Sequence, residues 1–156
     1  DLTDYACDGL RVTGDGAVLT ARLDREGDNP LSMAIAARLT RLLLDPPQGA
    51  HVLVLAAAGE AFCLGRDRGA SDPGGLTSES EALIGLNQAL ERSRLVTVAR
   101  VHGDAAGFGA GLAALSDVAV AVRSARFSFP EAKIGLAPAV VLGWLPRLVG
   151  RRMAFW

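Results

Sequence analysis

The chain has 156 residues, half of them hydrophobic, with a formal net charge of -1. That is enough apolar material for a single domain spanning 1–156, and the near-neutral charge gives no electrostatic reason for a nucleic-acid or membrane-surface partner. No stretch approaches the roughly 18 apolar residues that cross a bilayer. The first residues, Asp-Leu-Thr-Asp-Tyr, lack the basic start and apolar middle of a signal peptide, so a cytoplasmic setting is expected. Cys7 and Cys63 are too few and too far apart for a disulfide framework, and no metal site is expected. Cys63 reads as a small buried thiol.

In chain order, residues 10–23 read as a hairpin around Gly14-Asp15-Gly16. Asn29-Pro30 reads as cap and first turn of a helix carrying Leu31, Ala34, Leu39, Leu42 and Leu43, stopped by Asp45-Pro-Pro. An apolar strand at 51–57 leads into a glycine-marked turn at 61–67, Ala-Phe-Cys-Leu-Gly-Arg-Asp. Residues 69–75 read as a mobile loop, and Ser78 with Glu81 as the capping box of a helix to about Arg94, with Leu83, Leu86 and Leu90 on one face. A strand at 95–101 and a helix around 112–115 flank a second glycine-rich turn, Val101-His-Gly-Asp-Ala-Ala-Gly-Phe-Gly-Ala-Gly111. Strand candidates follow at 117–122 and 126–129, then an irregular stretch at 135–143 and a last helix from about Leu142. Strands alternating with helices predict an α/β layered fold with its ligand site at strand C-termini.

The two glycine turns carry the chemistry. Glycine lets a backbone approach another group closely, and a helix start leaves N–H groups unpaired with the helix dipole behind them. Two such turns, each offering one N–H, suit an enolate oxygen that carries charge in the transition state.

Four segments in this order resemble the crotonase superfamily, the enoyl-CoA hydratase/isomerase fold: 61–67, 101–117, Phe129-Pro-Glu-Ala-Lys-Ile-Gly-Leu-Ala-Pro138, and Leu145-Pro-Arg-Leu-Val-Gly150. The resemblance implies an α/β spiral of ββα units, with layered sheets flanked by helices. It also implies an acyl thioester substrate, on coenzyme A or a carrier protein, and no further cofactor. Carried over by position, the N–H groups of Arg66 and Phe108 would hold the thioester carbonyl. Leu64, Gly65, Asp67, Arg68, Gly107 and Gly111 would line the substrate and coenzyme A side. Relatives that hydrate use two glutamates; the first position is Gly111 here and the second is Glu131. A single glutamate resembles the family's double-bond isomerases.

Each of these residues also has a plainer reading. Glu131 reads either as the proton shuttle or as a helix-start glutamate paired with Lys133. The Arg66 side chain points to solvent, or pairs with a phosphate or a substrate carboxylate. Phe108 lines the acyl pocket or packs beneath it. Arg68 is a phosphate contact or merely solvated, Asp67 bonds nearby N–H groups, and His102 is hydrogen-bonded at a strand end rather than a general base.

The leading expectation is enoyl-CoA isomerisation with Glu131 as shuttle. Hydration and decarboxylation of a carboxyacyl thioester are the enzymatic alternatives, and a non-catalytic acyl-CoA-binding or assembly subunit is the other. The resemblance further implies a homo-trimer or hexamer. The chain ends where the family's C-terminal helices would begin, so that helical part is expected to be absent or the apolar end covered by a neighbouring subunit.

Overall fold

A computed structural model describes residues 1–67, 69, 71–135 and 139–155, with only the main chain at 132. After a short 3-10 turn at Leu2–Tyr5, strands β1 (Leu10–Asp15) and β2 (Val18–Leu23) form an antiparallel hairpin with Leu10 opposite Leu23. A two-residue turn joins them, with Gly16 at φ 59°. Their inward positions, Leu10, Val12, Leu19, Ala21 and Leu23, are buried, and their alternate positions are mostly not, as period-two patterning requires.

Helix α1 (Met33–Leu44), strand β3 (Val52–Ala57), helix α2 (Pro73–Arg92), strand β4 (Val96–Val101), strand β5 (Ala105–Ala106) and helix α3 (Phe108–Leu115) follow. Strands β6 (Val118–Ala121) and β7 (Phe127–Ser128) and a 3-10 turn at Pro130–Ile134 come next. Three short helices close the order: α4 (Ala139–Leu142), α5 (Leu145–Val149) and α6 (Arg151–Ala154). The main sheet runs β1-β2-β3-β4-β6, parallel from β2 onward; β5 and β7 make a second, two-stranded parallel sheet.

Successive units thus give one strand to the main sheet and a short extended piece to a second layer. In that layer Cys63 bridges Ala105, and Ala105 in turn pairs with Phe127. This is the layered α/β arrangement that the sequence resemblance implied. Its core joins Ile35, Leu39, Leu42 and Leu43 of α1 and Leu83, Leu86 and Leu90 of α2 to Leu53, Leu55, Ala99 and Val101 of the sheet. Among the described residues no helix is long and apolar enough to cross a membrane.

Two helix starts differ from the sequence reading. α1 is capped by Ser32, whose Oγ accepts from Ile35 N at 3.1 Å. Asn29 instead sits at φ 57°, its buried amide donating to Ala58 O and Ala61 O and accepting from Arg25 N. Three hydrogen bonds outweigh one cap. α2 starts at Pro73 rather than near Ser78: Asp72 caps it by accepting from Gly75 N at 2.9 Å, and Pro73 opens it. Most of the expected loop at 69–75 is therefore helix and cap. Leu31 is buried but lies before α1, and Ala34 is exposed.

Candidate active site

The first glycine turn is tied to the second by main-chain bonds. Phe62 N donates to Asp104 O at 2.9 Å, and Ala106 N donates to Cys63 O at 2.9 Å. Gly109 passes so close to that carbonyl that an added Cβ would overlap it, so only glycine permits the approach. Gly65 sits at φ 118°. Beyond it, Leu31 N donates to Gly65 O and Asp67 N donates to Leu31 O, both at 2.9 Å. In an extended segment alternate residues turn their N–H groups to opposite sides, so this bridge directs the Arg66 N–H away from Leu31. Among the described residues it has no acceptor.

The second donor is set by helix geometry. Gly107, at φ 53° and ψ -120°, is the N-cap of α3; its own N–H donates to Ser128 O at 2.8 Å. No side chain caps α3, and Phe108 N–H, its first, has no acceptor among the described residues. The partial positive charge of the helix start is concentrated there.

Gly65, Arg66, Gly107 and Phe108 line one cavity of about 460 Å³. Its other walls are the α2 stripe Leu76, Glu79, Leu83 and Asn87, Glu131 on its 3-10 turn, and Val140, Val141 and Trp144. Glu131 Oε2 is buried with no hydrogen-bond partner, and Oε1 lies 2.9 Å from where a Cβ on Gly107 would stand. Glu131 opens its 3-10 turn as a helix-start glutamate, but among the described residues it forms no ion pair with Lys133. A Cβ on Gly111 would lie 3.2 Å from Trp144 Cζ2, so the indole fills the space into which a side chain at 111 would grow. Two unpaired N–H groups and an unpartnered Glu131 carboxylate oxygen on a shared cavity can stabilise a developing oxyanion and carry a proton.

The remaining candidates divide. Leu64 lines the cavity, exposed, and Phe108 lines it too. The Arg66 side chain is partly exposed and paired within the chain: Nη1 bonds Glu79 Oε2 at 2.8 Å. Among the described residues Asp67 accepts from no nearby N–H group; its carboxylate pairs with Arg25 Nη1 at 2.6 Å, outside the cavity lining. A long-range cation satisfies it more fully than its own turn does. Arg68 lies outside the described residues. His102 Nε2 is 2.7 Å from Gly59 O, a strand-end hydrogen bond away from the cavity. Cys63 is fully buried, and desolvation pushes its thiol up to about 11, which makes it a poor nucleophile. Glu79, Asn87 and Trp144 were not singled out from the sequence. A polar residue at position 87, one helical turn from Leu83 on the apolar face, was the available signal.

The family model for enoyl-CoA hydratase/isomerase matches residues 13–155. The chain belongs to the enoyl-CoA hydratase/isomerase family. It is 41% identical over 143 residues to a probable enoyl-CoA hydratase of Rhodobacter capsulatus, covering 88% of this chain and 55% of that protein. It is 35% identical over 147 residues to an enoyl-CoA hydratase of Alternaria alternata, covering 93% and 49%. Among solved structures, an enoyl-CoA hydratase of Mycobacterium smegmatis superposes with a TM-score of 0.87 at 34% identity, covering 94% of this chain and 60% of that one. This member of the family thus spans about half the length of the curated relatives it matches.

Proposed function

We propose that the cavity binds an enoyl thioester of coenzyme A and isomerises its double bond. The carbonyl oxygen would sit between the N–H groups of Arg66 and Phe108. Glu131 would take a proton from the α carbon of a 3-enoyl thioester, leaving a dienolate, and return it at the γ carbon to give the 2-enoyl thioester. Donors that strengthen only as the oxygen gains charge lower the barrier without over-stabilising the bound substrate.

One observation carries this reading: Glu131 is the carboxylate with a buried unpartnered oxygen, while Trp144 fills the space above Gly111. A second carboxylate for orienting water is missing from that position, whereas a proton shuttle needs one. Glu131→Gln should fold as the parent does and lose about 10²–10⁴-fold in 3-enoyl-CoA turnover, since general acid–base catalysis contributes on that scale. Turnover retained in that variant sinks the shuttle and favours chemistry driven by the amides alone, such as decarboxylation.

Hydration is the second reading, favoured by relatives that carry the name hydratase. It predicts loss of the conjugated 2-enoyl-CoA absorbance in water faster than 3-enoyl-CoA is converted; the isomerase reading predicts the reverse order.

A further inference from the structure

Three buried side-chain polar atoms among the described residues lack a hydrogen-bond partner: Asn87 Oδ1, Glu131 Oε2 and Trp144 Nε1. All three residues line the same cavity. Glu131 has its use in the proposed proton transfer; the other two have none. Asn87 is 7% exposed and Trp144 4% exposed, so neither atom is satisfied by bulk solvent. Elsewhere the fold pairs its buried polar groups carefully, as with Asn29 and with Thr97, whose hydroxyl donates to Asp117 Oδ2 at 2.9 Å. Leaving two orphans in one cavity is costly unless a ligand meets them.

Their chemistry is complementary. Asn87 Oδ1 can only accept and Trp144 Nε1 can only donate, whereas a hydroxyl does both. Asn87 lies on the α2 stripe two helical turns beyond Glu79, roughly 12 Å along the axis at about 1.5 Å per residue. Leu83 stands between them, with Val140 and Val141 also on the cavity lining. An aliphatic chain fits the apolar stretch but strands the amide beyond it.

We infer that the cavity selects an acyl chain carrying a hydroxyl group, which donates to Asn87 Oδ1 and whose oxygen accepts from the Trp144 indole N–H. This rests on the acyl-thioester reading above and names its substrate class.

The test compares ω-hydroxy-3-enoyl-CoA thioesters of six to eight carbons with plain 3-enoyl-CoA thioesters one carbon longer, so that each pair exchanges CH₃ for OH. The parent protein should favour one hydroxylated member on the order of 10–100-fold in kcat/KM. Asn87→Leu should erase or invert that preference, read as the ratio of kcat/KM within each hydroxylated and plain pair. Its melting temperature should not fall, because it replaces an unpaired buried amide by an apolar side chain; a fall would mark Asn87 as structural and overturn the inference. Trp144→Phe, which keeps the ring over Gly111 and removes the donor, should lose part of the preference. Equal or better turnover of every plain thioester by the parent, with an unchanged ratio in Asn87→Leu, overturns the inference alone. If the protein neither binds nor converts any of these thioesters, the acyl-thioester reading fails and this inference goes with it.

Discussion

The two glycine turns offer similar N–H groups by different means. At 107–108 a helix begins at once, so its dipole and uncapped first turn raise the positive potential of the Phe108 amide. At 65–66 no helix follows directly; the Arg66 amide is aimed only by its bridge to Leu31. One amide owes its direction and its charge to a helix, the other its direction to a strand-like bond. The difference teaches that a fold can present paired donors without repeating the same local motif, provided the two turns are bonded to each other.

That bond is the place to break the comparison hardest. Gly109→Ala drives a methyl into the Cys63 carbonyl. It should destabilise the protein by at least about 3 kcal/mol, read as a melting-temperature loss of roughly 6–12 °C. A smaller loss would mean that the turns can part without unfolding.

The turns are next separated by their own glycines. Gly107→Ala meets both a left-handed φ of 53° and the Glu131 carboxylate at 2.9 Å. Gly65→Ala meets only the φ of 118°, its nearest foreign atom being Ala106 O at 3.9 Å. Each should cost about 1–3 kcal/mol in backbone strain. Turnover should fall about 10²–10³-fold in Gly107→Ala and only about tenfold in Gly65→Ala. Equal losses in steady-state assays would contradict the asymmetry.

Cys63 tests the first turn through pH. The thiol ionises near its ordinary 9.0 when unfolded but holds its proton to about 11 when buried. The folded state therefore binds the extra proton in that window. The associated stability is present below pH 9 and lost as pH rises toward 11, by about 1.4 kcal/mol per unit. Urea unfolding across this range should show the slope in the parent and lose it in Cys63→Ala.

The smallest effect should come from Arg66→Ala. The proposed donor is main-chain, and the pair with Glu79 is partly exposed at the arginine. We expect about 0.5–1 kcal/mol of stability lost and kcat/KM within about threefold of the parent. A folded but inactive variant would mean that the guanidinium takes part in the chemistry.

Apolar runs, glycine turns and a hairpin made the layered fold and both turns legible in the sequence, because each is a local pattern. Asn29 and Asp72 show where local patterns compete. Both precede a proline, yet only Asp72 caps a helix, because Asn29 finds three buried partners supplied by Ala58, Ala61 and Arg25. The Gly74-Gly75 pair disguised the start of α2 as a loop. The cavity walls were the least legible part. Asn87 shares the apolar side of its helix with leucines, and periodicity does not tell which part of that side meets core and which meets open space. Trp144 closes on Gly111 from 33 positions away along the chain, a contact that no local pattern announces.

The cavity gathers residues from Leu64 to Trp144, and its two turns are bonded over some forty intervening positions. Any fragment that stops before β5 would hold the first turn without the neighbour that fixes it. The site therefore needs both turns in one chain, and ligand affinity measured on shortened chains should appear only at lengths that include the second turn.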